Sequence, residues 1–204
     1  MIKRLLDLFL LFMGIILFSP VFLLIFIFVI INILFEDGFP IFYTQTRYGK
    51  NKKTFQLYKF RSMIKNAEYQ TGPIWASRNT DTRITKTGRL MRKYAIDEIP
   101  QLYNILIGDI SFVGPRPERP ELFNKFIKDY PRFTERLNSH QGLSGLAQLL
   151  GKYDSAPKNK LRYDLLYIKN QSILLDLKII FLSVFVTIIG NWQSDSRKWV
   201  KKFF

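Results

Sequence analysis

The sequence predicts an α+β chain, predominantly helical and held in a membrane near its N-terminus. Three observations carry that class. Residues 8–31 contain no charged side chain, enough for a helix of about 20 apolar residues to enter a bilayer. Residues 41–63 alternate in character around Gly49-Lys50-Asn51, the pattern of a small β-hairpin. The remainder repeats helical spacing in short runs punctuated by Gly and Pro, with no internal repeat, low-complexity linker or second domain.

Composition narrows the chemistry. At 204 residues the chain suits one domain plus an appended element. A net charge of +15 and a pI near 10.0 predict an anionic partner, whether nucleic acid, an anionic membrane face or a phosphorylated substrate. Cysteine is absent, which excludes disulfides and thiol chemistry. His140 is the single histidine, so a histidine-based triad or a histidine-rich zinc site is excluded as well. Carboxylates are left as nucleophiles, bases and ligands.

Lys3 and Arg4 precede the apolar run and Glu36-Asp37-Gly38 ends it. It is far too long for a signal-peptide core, and no small-residue cleavage site follows. Pro20 stands at its middle, preceded by Ser19. Proline removes one backbone donor, frees the carbonyl of Ile16 and bends the helix, while a serine hydroxyl can take up a freed carbonyl. The residues allow two topologies: a kinked span, which they favour, or a helix that dips into one leaflet and returns.

The hairpin leaves through Lys59-Phe60-Arg61-Ser62-Met63, either a solvated basic strand end or a pair of cations near phosphates. Residues 67–88 form a long polar connection, of the kind that is functional or loose. Arg89, Arg92 and Lys93 then lead into Asp97-Glu98 and the apolar-periodic residues 99–107. Pro100 fits a first helical turn, so a helix is expected to start near Asp97, with both acids at its positive end. Neighbouring helical residues do not face each other, so one acid could attack while the other holds a metal. An aspartate in that place is ordinarily just an N-cap. Gly114-Pro115-Arg116-Pro117 closes the stretch, a stiff loop whose arginine suits a phosphate oxyanion.

A short amphipathic helix is expected over residues 122–130, stopped by Pro131, and another around Leu161-Arg162-Tyr163-Asp164. Asp164 could serve the site or pair with Arg162 or Lys169. Residues 173–189 are apolar but interrupted by Asp176 and Lys178, which leaves too few uncharged residues to span and predicts an interfacial or domain-packed helix. The end interleaves Trp199, Phe203 and Phe204 with Arg197, Lys198, Lys201 and Lys202, suited to an anionic bilayer surface or to a disordered basic tail. Neither the dinucleotide fingerprint nor the Walker lysine loop occurs.

Asp97-Glu98-Ile99-Pro100-Gln101, Asn104-Ile105-Leu106 and residues 108–117, Gly-Asp-Ile-Ser-Phe-Val-Gly-Pro-Arg-Pro, together resemble the signature of the bacterial sugar transferases, the monotopic phosphoglycosyl transferases. Lys59-Phe60-Arg61-Ser62-Met63, Ser19-Pro20, Asp7 and residues 140–152 also match family positions. The last segment departs from type at His140-Gln141, Leu146, Leu150 and Lys152, where the family typically has Arg-Pro, Trp, Asn and Arg.

The resemblance implies a monotopic membrane protein. A re-entrant helix broken at Ser19-Pro20 would occupy residues 1–36, and a cytoplasmic catalytic domain with interfacial C-terminal helices residues 37–204. It implies transfer of a sugar 1-phosphate from a nucleotide diphosphate sugar, usually a UDP-sugar, to undecaprenyl phosphate, at the cytoplasmic face of a bacterial inner membrane, with release of UMP. This would be the first membrane step of glycan or exopolysaccharide assembly. Asp97 would be the nucleophile of a covalent phosphosugar intermediate and Glu98 the Mg²⁺ ligand. Arg92, Arg116, Lys59 and Lys152 would bind phosphate, with Arg61, Asp164 and Asp176 as further candidates. The resemblance implies no nucleic acid and leaves a homodimer open. Two rival classes are a basic membrane-tethered nucleic-acid module and a membrane-anchored Mg²⁺-dependent pyrophosphatase of nucleotide sugars.

Overall fold

The computed structural model describes residues 2–69, 72, 81–151, 156–192 and 198–204. The first element, α1, runs from Ile2 to Asp37. Its helical run continues through Pro20, where the sequence had suggested a break. The lost backbone bond is answered locally, because the Ser19 hydroxyl donates to the carbonyl of Ile16 at 3.3 Å. Residues 15–21 of α1 are exposed and, apart from Ser19 and Pro20, apolar.

Both flanks of α1 are fixed to the rest of the chain. At the start, Lys3 pairs with Asp176 at 2.6 Å, and the Asp7 carboxylate accepts from the Ser111 hydroxyl at 2.9 Å and the Phe112 N–H at 3.1 Å. Leu11 joins an apolar cluster with Leu57, Ile105 and Ile110. Farther along, Val29 and Ile33 bury with Ile41, Phe60 and Met91. At the end, both Glu36 oxygens accept from the N–H of Thr87, at 3.0 and 3.1 Å.

The expected hairpin is present. Strands β1 (Phe42–Tyr48) and β2 (Thr54–Phe60) pair antiparallel, with Tyr43 opposite Lys59 and Thr44 opposite Tyr58. Helix α2 (Lys86–Lys93) follows, capped by the Thr85 hydroxyl, which accepts from the Gly88 N–H. Gly88 is needed for close packing: a Cβ there would meet the Ser62 carbonyl oxygen at 2.0 Å. Helix α3 (Gln101–Ile107) then leads to β3 (Ser111–Val113), and α4 (Pro120–Asp129) matches the expected amphipathic helix, with Phe123 and Phe126 buried.

A second, parallel pairing joins β3 to β4 (Gly142–Ser144), with Ser111 opposite Gly142 and Val113 opposite Ser144. Alternation over three residues is too short to announce a strand, so the sequence did not suggest it. The backbones nearly touch here: a Cβ on Gly142 would lie 2.0 Å from the Gly114 nitrogen. Helices α5 (Leu146–Leu150), α6 (Pro157–Lys169), α7 (Ile173–Ile188) and α8 (Lys198–Lys201) complete the domain. Their shared core includes Leu149, Tyr167, Ile179, Leu182 and Val200. The outer face of α7 leaves Leu174, Leu177 and Phe181 exposed, the pattern expected of a helix packed on the domain with an apolar outer side.

Gly142→Ala is expected to force the β3–β4 crossing apart and cost about 3 kcal/mol. A thermal midpoint unchanged from the parent chain would contradict this account of the crossing.

Candidate active site

The acids lie ahead of α3 rather than in its first turn. Ala95 adopts a left-handed backbone, φ +53°, and reverses the chain after α2. A 3-10 turn, Ile96–Glu98, carries both carboxylates, and Pro100 is the N-cap of α3. The expected start near Asp97 therefore moves to Gln101. Proline has no N–H to give, and regular helical bonding begins after it.

The two carboxylates have different surroundings. Glu98 is held from both sides: Lys59 Nζ lies 2.7 Å from Oε1, Arg116 also donates to Oε1, and Arg116 reaches Oε2 at 3.2 Å. Burial alone would raise this carboxyl, but Arg116 and then Lys59 outweigh it and hold it well below the usual carboxylate range. Asp97 is 5 % exposed and accepts no hydrogen bond from the described residues. Burial pushes its carboxyl up; Lys59 opposes that, and the neighbouring Glu98 adds to it. Arg92 stands close by with its Nε on the Ser62 hydroxyl at 2.9 Å. Its two terminal nitrogens have no partner among the described residues.

Asp97, Glu98, Lys59, Arg92 and Arg116 all line one cleft of about 1110 Å³. One wall is apolar and mixes α1 with α7, through Phe22, Ile25, Ile180, Val184 and Ile188. Another wall is polar and comes from β1 and the loop after β2.

The loop bearing Arg116 is fastened from behind by its carbonyls. Pro115 accepts from the Gly142 N–H at 2.9 Å, Arg116 from Arg136 at 2.9 Å, and Pro117 from Arg47 at 3.1 Å. Arg136 is 1 % exposed and pairs with Asp164 at 2.7 Å. Asp164 thus has neither of the partners expected from sequence, Arg162 or Lys169, because its own helix turns it inward toward the 3-10 stretch Pro131–Asn138. Beside this pair, Glu118 is buried against Lys160 at 3.1 Å. Sequence reasoning missed Arg136 and Arg47, which no local pattern marks, and gave Glu118 no role. Only the fold brings them behind the loop.

The other expected positions fall as follows. Arg61 lines the cleft, yet its guanidinium donates to the Asp37 and Gly38 carbonyls and pairs with Asp37 at 3.3 Å, so it ties α1 to β2. Asp176 is away from the cleft, accepting from Tyr167 Oη and Lys3 Nζ, both at 2.6 Å. Ser19 and Pro20 lie in the exposed middle of α1, and Lys152 falls outside the described residues. His140 is exposed, as a loop histidine would be.

For a hard divalent cation, the acid pair offers oxygen donors without a closed cage. Among the described residues no group of three His, Cys, Asp or Glu gathers. Such a donor set fits Mg²⁺ held jointly with water and substrate phosphates, the usual manner for that ion. Glu98 would exchange part of its contact with Lys59 or Arg116 to take part.

The bacterial sugar transferase family matches residues 1–190. The chain belongs to that family. Among its relatives is a UDP-N-acetylgalactosamine-undecaprenyl-phosphate N-acetylgalactosaminephosphotransferase of Aeromonas hydrophila, 37% identical over 93% of this chain and 44% of its own length. The exopolysaccharide production protein ExoY of Sinorhizobium fredii is 35% identical over 89% of this chain and 83% of its own. A UDP-glucose:undecaprenyl-phosphate glucose-1-phosphate transferase of Klebsiella pneumoniae is 41% identical over 74% of this chain and 33% of its own. The chain therefore spans less than half of the Aeromonas and Klebsiella proteins and most of ExoY.

Asp164→Ala would leave Arg136 charged and buried without its partner, at an expected cost of about 3–5 kcal/mol. The measurement is the urea midpoint; a shift equal to that of an exposed control such as Asp129→Ala would show that the pair contributes nothing.

Proposed function

We propose that the chain transfers a sugar 1-phosphate from a UDP-sugar to undecaprenyl phosphate at a cytoplasmic membrane face, opening a glycan or exopolysaccharide assembly. One observation carries the reading: the Asp97 carboxylate, with no hydrogen-bond donor among the described residues, shares a cleft with Arg92, Lys59 and Arg116 while its neighbour Glu98 is held by two cations. The Aeromonas and Klebsiella relatives, named as sugar-phosphate transferases acting on undecaprenyl phosphate, support the same class of substrates.

In the first half-reaction an Asp97 oxygen attacks the sugar-bearing phosphorus. The phosphoanhydride bond breaks, UMP leaves with the electron pair, and an aspartyl phosphosugar remains. In the second, an oxygen of the lipid phosphate attacks that phosphorus. The acyl–phosphate bond breaks, and the Asp97 carboxylate returns as polyprenyl diphosphate sugar departs. Arg92, whose terminal nitrogens have no partner among the described residues, presents its donor fork to phosphoryl oxygens, and Lys59 and Arg116 supply positive charge where negative charge gathers. Mg²⁺ held by Glu98 with substrate phosphates would add Lewis-acid neutralisation of the diphosphate.

The acceptor distinguishes this reading from hydrolysis. Phe22 and Ile25 of α1 share the cleft with the acid pair, so an apolar path from the membrane-seeking helix reaches the reacting carboxylate. A lipid acceptor uses such a wall and water does not. A nucleic-acid module leaves the wall and the bare carboxylate without a role.

Re-entry of α1 rests on its two fixed flanks. Leu11 and Val29 would stand about 27 Å apart along a straight helix. Their clusters nevertheless draw on Leu57 and Phe60, about 10 Å apart along the single strand β2. A spanning helix would put those clusters on opposite sides of about 30 Å of hydrocarbon.

Asp97→Asn is expected to release no UMP and to take up no phosphosugar mass when incubated with Mg²⁺ and UDP-sugars, whereas Glu98→Gln should retain a trace of activity with weakened metal dependence. Normal turnover by Asp97→Asn would end the covalent mechanism. The acid limb of kcat/KM should lie above the ordinary carboxylate range, because burial raises Asp97 and it must be ionised to attack. Lys59 lowers that carboxyl, so Lys59→Met should move the limb to still higher pH; a shift downward would contradict the assignment. Since the chain has no cysteine, single Ile2→Cys and Phe39→Cys variants report topology cleanly. Both should react with an impermeant maleimide from the same side of oriented vesicles, and labelling from opposite sides would establish a span.

A further inference from the structure

One wall of the cleft is not used by the steps above. On β1, Tyr43, Gln45 and Arg47 follow at alternate positions and line the same cleft, continuing the row begun by Lys59 across the hairpin. Their side chains are hydrogen-bonded in series. Arg47 donates to Gln45 Oε1, and Gln45 Nε2 donates to the Tyr43 hydroxyl oxygen at 2.9 Å. Arg47 also reaches the Pro117 carbonyl, which fixes the row to the loop carrying Arg116. That chain consumes an acceptor site of the Tyr43 hydroxyl and leaves its own proton without an acceptor among the described residues. Tyr43 is 39 % exposed, so the proton is available to a ligand. Burial, and then Glu68, push the phenol up, keeping it protonated. Alongside it, Arg119 grips Glu68 through two parallel bonds of 2.7 and 2.8 Å.

We infer that Tyr43, Gln45 and the Glu68–Arg119 pair form the subsite that reads the hydroxyl-bearing sugar ring of the donor. The inference rests on the transferase reading for the identity of the donor. Position argues for the sugar over the ribose. Tyr43 stands directly opposite Lys59, so the two side chains are about one residue-width apart, and Lys59 holds Glu98 beside Asp97. The sugar is joined directly to the phosphorus under attack, whereas the ribose lies one phosphate farther away. Chemistry agrees. A phenol donor, an amide, a carboxylate and a guanidinium supply both donors and acceptors at fixed places, as recognition of hydroxyl stereochemistry requires. The row lies outside the Asp97–Pro117 signature, so chains that share the chemistry can differ here in the ring they accept.

The test measures binding in the full chain in lipid nanodiscs with Mg²⁺, in an Asp97→Asn background that blocks the covalent step. The ligands are UMP and pairs of C4-epimeric UDP-sugars. Tyr43→Phe and Glu68→Gln should each weaken the preferred UDP-sugar about fivefold and narrow the ratio between epimers, while UMP binding stays within about twofold. Equal weakening of UMP would assign the row to the nucleoside and overturn the inference, as would unchanged epimer ratios. UDP-sugars bound and discriminated by a parent chain that releases no UMP would keep the subsite and remove the transferase. UMP release with discrimination untouched by both substitutions would do the reverse, and failure to bind any of these ligands would remove both.

Discussion

The clasp of Glu98 by Lys59 and Arg116 is the constraint on which the cleft depends. It draws three separate parts of the chain to one carboxylate: the end of β2, the 3-10 turn after α2, and the proline-flanked loop after β3. Without a shared anion, Lys59, Arg92 and Arg116 would face each other across a partly buried space, and that repulsion is strong where water is scarce. Glu98 neutralises one charge among three. The cleft therefore stays cationic and suits a diphosphate, whose charge the protein only partly anticipates. Asp97 shares this field without being consumed by it. Two adjacent acids of one sequence motif thus have different surroundings because their neighbours differ.

The clasp holds only if the loop bearing Arg116 is rigid, and its rigidity is built from backbone contacts. Gly114 and Gly142 let the two chain segments approach to a distance no side chain would permit. Gly142, Arg136 and Arg47 then take three successive carbonyls of the loop. Arg136 can stand there only because Asp164 compensates its charge inside the protein. A buried ion pair of this sort contributes little net stability by itself, but it fixes where the guanidinium points. The path from Asp164 to the Asp97 carboxylate accordingly runs through Arg136, the loop backbone, Arg116 and Glu98.

Much of this was legible in the sequence, and the divide follows the range of the interaction. The hairpin, the acid pair, the stiff Gly-Pro-Arg-Pro loop and the long apolar helix are local patterns, so periodicity and turn chemistry disclose them. That Lys59, Arg92 and Arg116 meet at one site was legible only through resemblance to a family signature, since nothing in their spacing brings them together. The parallel β3–β4 pair, the inward turn of Asp164 and the row on β1 depend on contacts between distant segments. No residue there is unusual in its own neighbourhood. Pro20 is answered locally: the Ser19 hydroxyl takes up the freed carbonyl and the helical run goes on, while both flanks of α1 still pack against the one strand β2.

The placement of α1 links the membrane to the chemistry. Its first turns bond β3 through Asp7, next to the loop that carries Arg116, and its last turns bond α2 through Glu36, the helix that carries Arg92. Its middle supplies Phe22 and Ile25 to the cleft wall. One helix therefore contacts the supports of two cleft-lining arginines and also offers the cleft an apolar wall. Moving α1 relative to the domain would disturb Arg92 and Arg116 together, from opposite ends. A membrane segment that only tethered the domain would have no reason for such contacts. Here α1 is part of the scaffold that carries the cations, so the placement of the long apolar helix and the shape of the cleft are one structural property.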